Sequence, residues 1–180
     1  MNSEKKKGLL LVYTGNGKGK TTAALGLCVR AIGYKWKICL VQFVKGSWKY
    51  GELKGLKALE PWVELHVVGE GFVGIIDDDK DISVHQRAAR EGLTLAEKKM
   101  RSGDYPLVIL DELNVAMSLD LVKREDVEAL LDARGDLQNL VITGRGAPDW
   151  LIERADLVTE MKEVKHPFQA GIEAQKGIDW

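Results

Sequence analysis

Residues Val12 to Thr22 read "VYTGNGKGKTT", and they join an apolar run to an amphipathic one. Leu9–Tyr13 reads as a buried strand, and Thr21–Ile32 as a helix that Gly33 stops. A glycine-rich turn between a strand and a helix start suits an anion. Its backbone N–H groups can converge on one point, and the helix dipole favours negative charge there. Lys20 can reach phosphate oxygens and the Thr21 hydroxyl can ligate Mg²⁺, as in the phosphate loop G-x-x-x-x-G-K-[ST]. The match is one residue short. Counted back from Gly19-Lys20-Thr21, the first glycine belongs at position 14, which is Thr14; the nearest glycine is Gly15. The loop Gly15, Asn16, Gly17, Lys18, Gly19, Lys20, Thr21 and Thr22 is therefore a candidate nucleotide cradle, either an ordinary ATPase loop with a blemish or a loop that holds its nucleotide differently.

Working outward, "LVILDE" (Leu107–Glu112) is an apolar strand ending in two acids. After a phosphate loop it reads as the strand that brings a carboxylate to the metal, with Asp111 and Glu112 joining Thr21 as Mg²⁺ ligands, directly or through water. A carboxylate capping the next helix is the competing reading. Further strands are expected at Ile38–Phe43, Val63–Val68, Asn139–Thr143 and Leu157–Met161. Helices are expected from a Ser83 cap to Arg101, with Val84, Ala88, Leu95 and Met100 along one face, over Arg124–Ala133, and over Pro148–Arg154. This alternation predicts an α/β fold, a mostly parallel sheet covered by helices on both faces. Without internal repeats or a linker, the chain reads as one domain over 1–180, with a polar tail at 1–7 and a closing segment at 162–180 near the site. Arg145, in the turn Gly144-Arg145-Gly146 after a strand, is either a further phosphate contact or a surface arginine.

Composition sets the outer limits. Lysine plus arginine total 26 against 27 acidic residues in 180, so no global field favours nucleic acid or a membrane surface. No apolar run has the length of a membrane span, and the start lacks a signal peptide's apolar region, so a cytoplasmic protein is expected. Cys28 and Cys39 lie in apolar stretches without metal-ligand spacing and read as buried free thiols. Among the three histidines, His66 reads as a satisfied core residue, His85 as part of an exposed helix start, and His166, beside Lys165 in "VKHPF", as a possible anion contact. The acidic run Asp77-Asp78-Asp79 reads as a solvated loop. These residues describe a Mg-ATP protein and leave its acceptor open: a small molecule, water or a polymer.

The segments "TGNGKGKTTAALG", "VQFVKGSWKYGE", "LDELNVAM", "VITGRGAP" and "ADLVTEMKEVKHPFQAGIEAQKGIDW" narrow that choice. In this order, and over almost the whole chain, they resemble the P-loop type of ATP:corrinoid adenosyltransferase. The resemblance implies a RecA-like P-loop fold, a homodimer, and transfer of the 5′-deoxyadenosyl group of ATP to the Co(I) of a reduced corrinoid, with triphosphate released. It implies ATP as co-substrate, Mg²⁺, and an electron donor that reduces Co(II). The corrinoid would be cobalamin, cobinamide or cobyrinic acid a,c-diamide. Members of the family hold ATP in reversed orientation on a shortened loop, which gives the missing residue a meaning. Lys20, Thr21, Glu112 and Arg145 would then serve catalysis, Trp48 and Phe72 would face the corrinoid, and His166 would be a further binding residue of the site. Phe72 matches an aromatic of the family's corrinoid loop, and Gly74 stands where many members carry tryptophan. The segment before Gly8 is shorter than the N-terminal helix that caps the partner's site in some members.

Overall fold

A computed structural model of the chain describes residues 7–44, 51–69, 71 and 80–179. In chain order the elements are β1 (Leu10–Thr14), α1 (Lys20–Ile32), β2 (Ile38–Gln42), α2 (Gly51–Lys57), β3 (Val63–Val67) and α3 (Ile82–Arg101). They continue with β4 (Leu107–Asp111), α4 (Leu113–Ser118), α5 (Arg124–Asp132), β5 (Asn139–Thr143), α6 (Asp149–Arg154) and β6 (Leu157–Glu160), then a 3₁₀ turn at Pro167–Ala170. The strands form one six-stranded sheet in the order β3-β2-β4-β5-β1-β6, and every pairing is parallel.

Central strands of such a sheet are covered on both faces, and their near-continuous apolar runs follow from that. Side-chain alternation splits each run between two layers. Leu10, Val12, Cys39, Val41, Val108, Leu110, Leu140 and Ile142 pack with α3, α4, α5 and α6. Tyr13, Ile38, Leu40, Leu107, Ile109 and Val141 pack with α1 through Ala24, Cys28 and Ala31, and with Leu56 of α2. Each fully buried Leu, Ile or Val contributes about 1.5–3 kcal/mol. The two cysteines are free and lie one in each layer.

The order of strands decides where ligands go. From β1 the chain passes through α1 and over β5 and β4 before it pairs β2 with β4. Such a reversal opens a crevice at the strands' C-terminal ends. Beyond the strands, Phe43 N donates to Asp111 O (3.0 Å), Gly144 N to Tyr13 O (3.1 Å) and Met161 N to Thr14 O (2.8 Å). The loops after β1, β4, β5 and β6 thus leave the same edge in register.

Two expectations about α3 need correction. Its cap is Asp81, whose carboxylate accepts the Ser83 N–H at 2.8 Å; Ser83 lies inside the first turn. The core stripe runs through His85, Ala89, Gly92, Leu93, Ala96 and Met100, one residue round from Val84, Ala88 and Leu95, which are half-buried. That rotation buries His85, expected at an exposed helix start, to 3%. His66 is half-buried and satisfied by Glu64 Oε1 at 2.8 Å. The acidic run 77–79 lies outside the described residues. Among the described residues no helix is long and apolar enough to cross a membrane.

Far from the crevice, Glu64 of β3 ties down α3. Its Oε1 accepts from Lys99 Nζ at 2.5 Å, and Tyr105 OH donates to the other oxygen. These bonds, Lys99's first, pull the Glu64 carboxyl from 4.5 down to about 2. A depressed carboxyl stabilises the fold above its unfolded pKa, and that stability is lost as pH falls through the folded value. Glu64→Gln is expected to lower the melting temperature at pH 7 by about 2–4 °C, the deficit shrinking between pH 4.5 and 2. A deficit unchanged at low pH in a melting series would show that the charge is not responsible.

Candidate functional site

The loop Gly15–Gly19 connects β1 to α1 as expected, and α1 begins one residue earlier than expected, at Lys20. The amides of a helix's first turn have no carbonyl behind them and are available to an anion. Lys20 is buried, its ammonium donating to Gly15 O (2.8 Å) and Gly17 O (2.7 Å). Burial pushes it below the ordinary lysine range. Nearby Arg145 pushes the same way, while Glu112 and Asp111 oppose. A cation aimed along its own loop in this manner is already in place for phosphate oxygens.

Asp111 ends β4 fully buried. Its Oδ1 accepts from Thr21 Oγ1 (2.9 Å) and Thr143 Oγ1 (2.7 Å), and its Oδ2 from Gln42 Nε2 (3.1 Å). The phosphate-loop hydroxyl and the strand-end carboxylate therefore meet, as their patterns suggested. Glu112 follows at the cap position of α4, but its side chain makes no cap hydrogen bond. It lines the cleft instead, which goes against the capping reading.

That cleft has a volume of about 670 Å³, and its walls include Asn16 to Thr22, Glu112, Arg145 and His166. Of the candidate residues, Gly15 and Asp111 are joined to this wall by their bonds to Lys20 and Thr21. Arg145 is exposed on the turn after β5. His166 Nδ1 accepts from Phe168 N (3.2 Å), fixing the start of the 3₁₀ turn. The closing segment reaches the cleft through Gly177, Ile178 and Asp179. Lys18 donates to the Asp179 carboxylate, and this bond, with one from Gln175 N, holds Asp179 below the usual carboxylate range. Trp48, Phe72 and Gly74 lie outside the described residues.

Sequence reasoning missed several participants. Gln42 and Thr143 were visible as polar residues closing buried apolar strands, a position that places a side chain at the functional edge. Asn114 (bonded to Gly144 O at 3.1 Å) and Asp179 carried no such sign.

Comparison with known proteins agrees with this geometry. Residues 6–180 match the family model described as ATP:corrinoid adenosyltransferase BtuR/CobO/CobP. A corrinoid adenosyltransferase of Pseudomonas aeruginosa is 42% identical over 97% of this chain and 84% of its own length. The corrinoid adenosyltransferase of Escherichia coli is 40% identical over 99% and 88%. The corrinoid adenosyltransferase CobA of Salmonella typhimurium is 37% identical over 99% and 88%. In fold alone, the solved flagellar accessory protein FlaH of Methanocaldococcus jannaschii is similar, with TM-score 0.59 and 10% identity over 86% of this chain and 71% of that one. The architecture is the RecA-like P-loop one expected from the sequence. These matches do not favour a kinase, an ATPase or a nucleic-acid module. The chain belongs to the ATP:corrinoid adenosyltransferase BtuR/CobO/CobP family.

Proposed function

We propose that this chain, acting as one domain, adenosylates a reduced corrinoid at the cleft: the Co(I) electron pair attacks C5′ of ATP, the C5′–O bond breaks, and triphosphate leaves with the bonding electrons. The observation that carries this reading is the bond between Thr21 and Asp111 of β4 beside a buried Lys20, at the shortened phosphate loop of a chain of this family. Co(I) is itself the nucleophile, so no proton need be removed, and the protein's work is orientation and charge stabilisation. The loop from Gly15 to Thr22, with Lys18, Lys20 and Arg145, faces the leaving anion. For that, Lys18 exchanges Asp179 for a phosphate oxygen. Trp48 and Phe72 are assigned to the corrinoid side, and His166, on the wall of the cleft, to an anion contact.

The donors at Thr21 and Asp111 are hard oxygens 2.9 Å apart with Glu112 close by, a set that suits Mg²⁺ shared with phosphates. When bound, Mg²⁺ supplies positive charge for the departing triphosphate. The substrate is cobalamin, cobinamide or cobyrinic acid a,c-diamide, and a separate electron donor supplies Co(I). A homodimer in the cytoplasm is part of the same reading. It is supported by β6, an edge strand exposed throughout, and by the exposed Val164 and Phe168 beyond it, apolar surface that a second copy would cover.

The test combines protein, Mg-ATP and chemically reduced corrinoid. The expected product is a light-sensitive cobalt–carbon species, with intact triphosphate as the phosphorus NMR signal and no appreciable ATP hydrolysis when corrinoid is withheld. ADP and free phosphate as dominant products would overturn the mechanism.

A further inference from the structure

We propose that Thr143 is a positioning residue for the metal side of this site, its hydroxyl setting both Asp111 and Glu112 at once. The inference rests on the reading of those two acids as the magnesium side of the cleft.

Thr143 ends β5 fully buried, on the strand between β4 and β1. Its Oγ1 donates to Asp111 Oδ1 at 2.7 Å and accepts the Glu112 N–H at 3.0 Å. One hydroxyl thus binds the carboxylate of the first acid and the backbone of the second. A hydroxyl can donate and accept together, and neither valine nor alanine can do either.

Glu112 needs that hold. Its backbone lies at φ 63° and ψ 20°, a left-handed conformation uncommon for a residue with a β-carbon. That bend turns the chain from β4 into α4 while leaving the Glu112 side chain on the cleft wall. Beside it, Gly144 at φ 127° leaves room: a β-carbon there would sit 3.2 Å from Glu112 Oε2 and 3.0 Å from Val115 N. Asn114 Nδ2 donates to Gly144 O at 3.1 Å and so locks the end of β5 to the turn after β4. Thr143 is the point at which this lock reaches Asp111, whose Oδ1 also accepts from Thr21. Losing the hydroxyl therefore releases both acids relative to the phosphate loop.

The experiment titrates the protein·ATP complex with Mn²⁺ and reads free metal by electron paramagnetic resonance, with a thermal melt of each variant. Groups that orient metal ligands are worth about 10–100-fold in affinity, so Thr143→Val and Thr143→Ala are expected to weaken Mn²⁺ at least about tenfold. Thr143→Ser should restore it to within about twofold, and ATP binding without metal should change by less than about twofold in all three. A folded valine or alanine variant that binds Mn²⁺ like the parent overturns the proposal. So does failure of both to fold while the serine variant is native, because the hydroxyl is then structural. Glu112→Gln separates this inference from its foundation. If Glu112→Gln leaves Mn²⁺ binding intact, the metal reading itself fails; if it weakens binding and the Thr143 variants do not, only the role of Thr143 fails.

Discussion

Lys20→Ala is expected to lose about 10²–10³-fold in kcat/KM for adenosyl transfer while keeping its melting temperature within a few degrees of the parent. The ammonium is the buried cation of the loop and contacts two loop carbonyls, at Gly15 and Gly17. Removing it takes away positive charge where three phosphates would leave as one anion, a loss of about 3–4 kcal/mol in the transition state. It costs the fold little, because desolvation already works against the charged lysine. Thr21→Ala should fall similarly in rate, with its loss partly recovered at high Mg²⁺, since in the proposed function its hydroxyl, bonded to Asp111, belongs to the metal side. Near-normal turnover by folded Lys20→Ala in the corrinoid assay would remove the phosphate loop from the mechanism.

Gly17→Ala is expected to raise the KM for ATP at least about tenfold, because small displacements of a positioning loop are felt strongly. The Gly17 N–H donates to Met161 O at 2.6 Å. A β-carbon on Gly17 would sit 2.6 Å from that oxygen and 2.7 Å from Lys162 C. Backbone cannot yield as a side-chain tip can, so either the loop or the segment after β6 must move. Gly26→Ala is the matched control: its β-carbon meets nothing within 4 Å on α1. It should stabilise that helix by about 0.5–1 kcal/mol without raising KM. Equal ATP affinity in the two variants would show that the loop does not depend on its contact with the segment after β6.

How far the sequence could be read depended on the range of the forces involved. β1, β2, β4 and β5 were visible because buried parallel strands are unbroken apolar runs, and Asn139–Thr143 was placed to the residue. The phosphate loop was visible because anion chemistry restricts residue type, and the acid of β4 because a carboxylate ending a buried apolar strand stands out. What sequence could not supply was rotation and distance. The stripe of α3 was read one residue off because Val84 and His85 are adjacent, and only packing against the sheet decides between them. The short helices α2 and α4 went unread, each lacking the proline start that marked the equally short α6. Gln42 and Thr143 gain their meaning from strand order, which sets β4 between β2 and β5 and so brings both side chains to Asp111.

The two cysteines, one per layer, amount to a pair of internal clocks. Both are wholly inaccessible, and burial pushes the Cys28 thiol up to about 11 and the Cys39 thiol up to about 12. A thiol reagent attacks the thiolate, so in the closed protein each is protected twice, by exclusion and by protonation. Alkylation then proceeds only through molecules that have transiently opened, and its rate reports the free energy of that opening. Cys28 times the layer beneath α1, where the nucleotide cradle begins, and Cys39 times the layer beneath α3. Labelling rates that slow at Cys28 but not at Cys39 when ATP is added would reveal that the nucleotide tightens one side of the sheet alone.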